Sequence, residues 1–221
     1  AEVATALSRG AFEYQGQKCS AASRAYVPSN IWADVKSILV SQVSSMKMGT
    51  PDDTSNFINA VIDKKAFTKI SEYIDYAKAA SDAEIIVGGN YDGSKGYFIE
   101  PTVIVTTNPK FKTMEEEIFG PVLAVTTFKT TEEAIEIAND TIYGLGAGVW
   151  TRDAHELYQV PRAIQAGRVW VNQYHAYPAG APFGGYKQSG VGRENHKMML
   201  DHYRQTKNML VSYNKNKLGF F

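Results

Sequence analysis

A chain of 221 residues, 44% hydrophobic and 21% charged, has the composition of an ordinary soluble globular protein and the length of one large domain or two small ones. Lys plus Arg and Asp plus Glu each number 23, so no global positive field is available to condense on a phosphate backbone, and nucleic acid is not an expected partner. One cysteine permits no intramolecular disulfide, and the four histidines (His155, His175, His196, His202) lack metal-ligand spacing with a second thiolate, so a reducing compartment and a metal-free site are expected.

Residues 1 to 20 carry Glu2, Arg9, Glu13 and Lys18 with no uninterrupted apolar stretch. They read as neither signal peptide nor membrane span, which points to the cytoplasm or a mitochondrial matrix and to no membrane partner. Val3, Leu7, Gly10 and Tyr14 recur at helical spacing from the first residues, without an initiating methionine, as in a piece of a longer protein.

A Gly16-Gln17-Lys18-Cys19-Ser20 loop follows, then a β-prone run from Ser23 to Val27 closed by Pro28-Ser29-Asn30. Ile31, Val35, Ile38, Leu39, Val43 and Met46 form an apolar stripe at helical period that ends at Gly49 and Pro51, and Ala66, Ile70, Tyr73, Ile74 and Ala77 form a second. Glu84 to Val87 reads as a strand stopped by Gly88-Gly89, and Tyr97 to Thr106 as another, interrupted by Pro101 and therefore suited to an edge or a bulge. Strand 122–128, helix 131–138, strand 147–150, helix 153–166 and strand 168–172 then alternate as βαβ units. The expected fold class is α/β, an open, twisted, mainly parallel sheet flanked by helices. Residues 173 to 193, with five glycines and two prolines, read as a functional loop, followed by a helix over 194–203 and a strand over 208–213. The tail from Lys215 to Phe221 is expected to be poorly ordered.

A lone cysteine is ordinarily a buried packer. Cys19 instead lies in a polar loop between a helix and a strand, where backbone N–H groups and Lys18 would favour a thiolate. The segment Phe12-Glu13-Tyr14-Gln15-Gly16-Gln17-Lys18-Cys19-Ser20-Ala21 closely resembles the nucleophile segment of aldehyde dehydrogenases. Glu116-Glu117-Ile118-Phe119-Gly120-Pro121-Val122, Asn139 to Leu145, and Pro182-Phe183-Gly184-Gly185 with Lys187-Gln188-Ser189-Gly190 resemble three further motifs of that family, in family order.

The resemblance implies the catalytic domain of an NAD(P)-dependent enzyme in which a thiolate attacks an aldehyde, the alkoxide passes a hydride to the nicotinamide, and water hydrolyses the thioester. It assigns Cys19 as nucleophile, with its own backbone N–H as one oxyanion donor. Glu117 becomes the carboxylate for the nicotinamide ribose hydroxyls and Phe119 an aromatic beside that ribose. Glu117 also reads as a solvated charge among Glu115 and Glu116, and Phe119 as a core aromatic before a Gly-Pro turn. Phe183 falls at the mouth of the substrate tunnel or simply packs its loop, and Tyr174, Tyr177 and Tyr186 have the same two readings. Asn172 either fixes the loop that follows it or is a satisfied turn asparagine.

The stretch through about Glu117 is similar to dehydrogenases of glutamate semialdehyde, the open form of pyrroline-5-carboxylate, on the strength of the Cys19 segment and Gly96-Tyr97-Phe98-Ile99-Glu100-Pro101-Thr102. After Phe119 the chain resembles general aldehyde dehydrogenases, so it reads as a chimera, natural or engineered. In the semialdehyde branch the substrate carboxylate is held by the serine after the nucleophile, here Ser20, and by a late Gly-Ser pair where this chain has Tyr174 to Gly180.

The family's dinucleotide-binding domain is absent from this sequence, with no Gly-x-Gly-x-x-Gly after a strand, so the choice of NAD or NADP is not encoded here. The resulting division is a catalytic domain over 1–206 and an oligomerisation strand and tail over 207–221, whose family counterpart reaches a neighbouring subunit and implies a homo-oligomer. The competing reading is a non-catalytic folded module or engineered hybrid domain. A plain thiol hydrolase is disfavoured because no histidine has a sequence relation to Cys19.

Overall fold

The computed structural model describes residues 1–216 and residue 219. Helix α1 (Glu2–Phe12) leads through the Cys19 loop into strand β1 (Arg24–Pro28) and helix α2 (Trp32–Ser44). Helix α3 (Lys64–Ala79) precedes β2 (Ala83–Val87), β3 (Tyr91–Asp92), β4 (Phe98–Ile99) and β5 (Thr102–Thr106), and a short α4 (Lys112–Glu115) leads to β6 (Val122–Phe128). The remainder alternates α5 (Thr131–Asn139), β7 (Gly146–Val149), α6 (Ala154–Ala163) and β8 (Arg168–Val171).

The main sheet has the order β1-β6-β5-β2, with β1, β6 and β5 parallel and β2 antiparallel at the edge. Side chains alternate across a pleated strand, so successive residues feed opposite cores. Val103, Leu123 and Val125 pack with Phe12 of α1 and Leu39 of α2, while Ile104, Val122 and Ala124 pack with Ile70 and Ile74 of α3 and Met114 of α4. Both faces of β6 are therefore covered, as a central parallel strand requires. Each fully buried Leu or Ile here contributes roughly 1.5–3 kcal/mol of apolar burial. Polar side chains cap the helix starts: Asp63 accepts from Ala66 N at 2.7 Å, Asp153 caps α6, and at α5 Thr130 Oγ1 accepts from Glu133 N while Glu133 Oε2 accepts from Lys129 N.

Several expectations are corrected. The run 97–106 is two elements, because Pro101 separates β4, which pairs with β3, from β5, which lies inside the sheet and not at its edge. The βαβ alternation does not build one continuous sheet: β7 and β8 form a separate parallel pair. Alternation dictates parallel pairing but leaves open which strands become neighbours. Helix α1 stops at Phe12, so Tyr14 leaves the helical stripe. Residues 194–203 contribute a 3-10 turn over Lys197–Tyr203 in place of an α-helix. The expected strand 208–213 has no ladder partner among the described residues, and Leu210 and Tyr213 are each 91% exposed. Residues 217, 218, 220 and 221, in the expected poorly ordered tail, lie outside the described residues. Among the described residues, no helix is long and apolar enough to cross a membrane.

Candidate active site

Beyond Phe12 the chain reverses through a left-handed turn, with Tyr14 at φ 59°, Gln15 at φ 57° and Gly16 at φ 66°. Such a conformation costs non-glycine residues of order 1 kcal/mol or more each and persists only where the surroundings hold it. Gly16 is held against the Gly120 carbonyl so tightly that any β-carbon would overlap that oxygen. Gln17 Oε1 accepts from Ile62 N at 2.9 Å. The loop so fixed delivers Cys19 as an exposed free thiol.

The contact with Gly120 brings the Cys19 loop against the segment bearing Glu117 and Phe119. Both face solvent, and Phe119 is itself left-handed at φ 61° and 42% exposed. The reading of Phe119 as a core aromatic is thereby excluded. Helix α3 fixes this segment: Lys69 Nζ donates to the Glu117 carbonyl at 2.7 Å, and the Tyr73 hydroxyl donates to Glu116. Burial, reinforced by the Glu116 carboxylate, pushes the Tyr73 phenol up to about 12, so it stays a donor at neutral pH.

On the other side stands the loop after β8. The Tyr174 hydroxyl donates to the Ser20 carbonyl at 2.7 Å, His175 Nε2 lies 2.9 Å from the same oxygen, and the Tyr177 hydroxyl meets Ser20 Oγ at 2.6 Å. Ser20 is accordingly buried. Tyr174 lies over Gly10, where a β-carbon would come within 2.8 Å of its ring. Burial drives the Tyr174 phenol well above its ordinary range and lowers His175, the latter opposed by its contact with Ser20. Phe183 is half-buried, packs edge-on against Tyr177 at 5.4 Å, and exchanges backbone hydrogen bonds with Glu194. Tyr186 stands apart, exposed beside Arg193.

Lys18, expected to bias the thiol, directs its ammonium to Glu13 Oε2 at 3.0 Å and to His175 Nδ1 at 3.1 Å. Lys18 and Arg9 together hold the Glu13 carboxyl below the usual carboxylate range. An open cleft of about 1040 Å³ ends on this group, lined among others by Arg9, Gly10, Glu13, Trp150, Tyr174 and His175.

Sequence reasoning missed the scaffold of the late loop. Arg168 donates to the carbonyls of Ala176, Ala181 and Pro182 at 3.3, 3.2 and 2.9 Å, and the Trp170 indole donates to Ala176 O at 2.8 Å. Both residues lie in β8, where the sequence signal was only that of a buried strand. Asn172, at φ 51°, accepts from Thr151 N and donates to Thr151 O, so it ties the start of the loop to the end of β7. Among the described residues, five of the eight non-glycine residues with positive φ (Tyr14, Gln15, Phe119, Asn172, His175) fall in the Cys19 loop and the two segments that touch it. Strain concentrated this way marks a site that the fold over-determines.

The α/β scaffold thus presents one exposed thiol on a strained loop that touches a carboxylate-bearing turn on one side and an aromatic loop on the other. Residues 1–209 match the profile of the aldehyde dehydrogenase family, and the chain belongs to that family. It is 52% identical over 212 residues to an aldehyde dehydrogenase of Paracoccus denitrificans, covering 94% of this chain and 41% of that protein. The NAD+ complex of an aldehyde dehydrogenase from Bacillus cereus superposes with a TM-score of 0.92 at 38% identity, covering 96% of this chain and 43% of that one. Betaine aldehyde dehydrogenase from Staphylococcus aureus in complex with NAD+ gives 0.92 at 38% identity, covering 100% of this chain and 44% of that one. The chain thus spans 41% to 44% of the length of these relatives.

Proposed function

We propose that this chain carries the nucleophile and the nicotinamide-side contacts of an enzyme that oxidises an aldehyde to a carboxylate with NAD or NADP. The observation that carries the reading is the convergence on exposed Cys19 of the Glu117–Phe119 turn, through Gly16 and Gly120, and of the 174–183 loop, through Ser20. Cys19 sulfur adds to the aldehyde carbon, and the backbone N–H of Cys19 is the donor this chain offers the resulting oxyanion. The dinucleotide, when bound, supplies the hydride acceptor. The residues present fit its nicotinamide half: the Glu117 carboxylate is exposed on a peptide anchored by Lys69, and the Phe119 ring is exposed beside it.

For the substrate, the likeness of the first stretch to glutamate-semialdehyde dehydrogenases and the reading of a chimera rest on the motifs around Cys19 and Gly96 to Thr102. The Ser20–Tyr177 hydroxyl pair supports a polar contact next to the thiol, made at Tyr177 because Ser20 is buried beneath it. Phe183, packed on the same tyrosine, would line the approach. Both halves of such a chimera would belong to the one family that residues 1–209 match. We take residues 1–206 as the catalytic domain, 207–221 as the segment that assembles a homo-oligomer, and the cytoplasm or mitochondrial matrix as the compartment.

The test follows reduced cofactor by absorbance with a simple aliphatic aldehyde and with glutamate semialdehyde, at NAD well above the millimolar-range Kd that these residues alone would give, in wild type and Cys19→Ala. Loss on the order of a thousand-fold or more in the variant is expected. Protection of Cys19 from iodoacetamide by the aldehyde is a second readout that needs no turnover. A variant that keeps a measurable wild-type rate, or an aldehyde that gives no protection, sinks the reading.

A further inference from the structure

We propose that His175 is a positioning residue for the nucleophile: as its neutral Nε2–H tautomer it ties together the two neighbours of Cys19, accepting from Lys18 at Nδ1 and donating to the Ser20 carbonyl at Nε2. The proposal rests on the reading of Cys19 as the nucleophile. An ammonium only donates and a carbonyl only accepts. A ring 3.1 Å from Lys18 Nζ at one nitrogen and 2.9 Å from Ser20 O at the other satisfies both partners in one protonation state alone, with Nδ1 bare and Nε2 protonated. Residues 18 and 20 are then pinned by one side chain, and Cys19 spans the two fixed points.

The pin is itself fixed. His175 is held at φ 57°, its ring lies 4.1 Å from that of Tyr174, and its loop hangs on Arg168 and Trp170. The charged and titratable groups facing it are Lys18 of the nucleophile loop, Glu13 with Oε2 3.7 Å from Nδ1, Arg9 of α1 on the other Glu13 oxygen, and Tyr174 and Tyr177 of its own loop. Protonation would turn Nδ1 into a donor aimed at an ammonium and would set the imidazolium against Lys18 for the Glu13 carboxylate. Burial of the ring favours the neutral form, in keeping with the geometry. The Cys19 loop is therefore set above the His175 titration and released below it, a dependence that no thiol carries by itself.

Two readouts test this on the full chain. Nitrogen-15 spectra of the imidazole rings should show the His175 Nε2–H pattern at neutral pH, and an Nδ1–H pattern overturns the proposal. Iodoacetamide modification of Cys19, followed by mass from about pH 5 to about pH 8, should show in wild type a several-fold inflection at the His175 titration, superimposed on the monotonic rise of any thiol. H175F should lose the inflection and shift the neutral-pH rate several-fold. H175Q, whose amide N–H can still reach Ser20 O, should recover most of that rate without the inflection. An inflection retained in H175Q, or superimposable profiles for wild type and H175Q, overturns it, and H175Q with the tautomer measurement decides the matter even if H175F does not fold. Failure of the nucleophile reading is distinguishable, since it appears as aldehyde that gives Cys19 no protection from iodoacetamide, or as aldehyde oxidation surviving in C19A.

Discussion

Gly16 meets the carbonyl of Gly120 backbone to backbone, so that the Cys19 loop and the Glu117–Phe119 turn are joined at a point with no room for a side chain. Gly16 also sits at φ 66°, where an alanine is strained by about 1 kcal/mol before any overlap is counted. Gly16→Ala should lower stability by at least about 2 kcal/mol in urea unfolding and slow every reaction of Cys19. Gly180→Ala is the control: a β-carbon there meets nothing within 4 Å, and its effect should stay within about 0.5 kcal/mol. Equal effects would mean that the contact does not set the loop.

Exposed Cys19 is the chain's one cysteine. Brief native iodoacetamide treatment should add a single adduct, at a rate within about tenfold of an exposed peptide thiol. Peptide mapping locates it, and a chain left unmodified until denatured would make Cys19 a packing residue.

Glu117 and Phe119 contact only the nicotinamide half of a dinucleotide in the proposed arrangement, and no Gly-x-Gly-x-x-Gly turn at a helix N-terminus is present in these 221 residues to cradle the pyrophosphate. Calorimetry on the 221-residue polypeptide should give a Kd for NAD weaker than about 1 mM. Micromolar binding would show that the phosphates are held by residues outside this account.

The acid side of the stability profile should carry two separable components. Glu13, held down chiefly by its hydrogen bond from Lys18, stabilises the fold above its ordinary value of 4.5, and that contribution is lost as pH falls through the lower folded value. His175 is lowered from 6.5 by burial, so the unfolded chain takes up its proton first and stability declines as pH falls below 6.5 toward the folded value. Urea midpoints across this range should lose the upper component in H175Q and the lower in E13Q. Unchanged slopes in both variants would dissociate these groups from the fold.

Much of this was readable from local pattern. The apolar stripes of α2 and α3 carry the helical period, and the Cys19 loop is conspicuous because a polar turn is a poor place for a packing thiol. What was not readable is non-local. Tyr174 reaches Ser20 across 154 residues of sequence and Lys18 reaches His175 across 157, and no spacing rule links such pairs. Pro101 was read as an edge signal because proline breaks a ladder, yet the chain uses it to change partners between β4 and β5. Lys18 was assigned to the thiol by adjacency, although a long flexible side chain goes where an acceptor is, here Glu13 and His175.

The segment Asn208 to Tyr213 is the remaining prediction. It is β-prone by composition, yet it has no ladder partner among the described residues, and Met209, Leu210, Val211 and Tyr213 are 75%, 91%, 67% and 91% exposed. A contiguous apolar run with open backbone donors and acceptors is a template for an added strand. A second copy of the chain offers a partner of matching chemistry, so a homodimer or larger species is expected at micromolar concentration. Light scattering on the full chain and on a version ending at Tyr203 decides it: association in the first and a monomer in the second is the expected pair. A monomeric full chain, or an oligomer that survives the truncation, removes the segment from the interface.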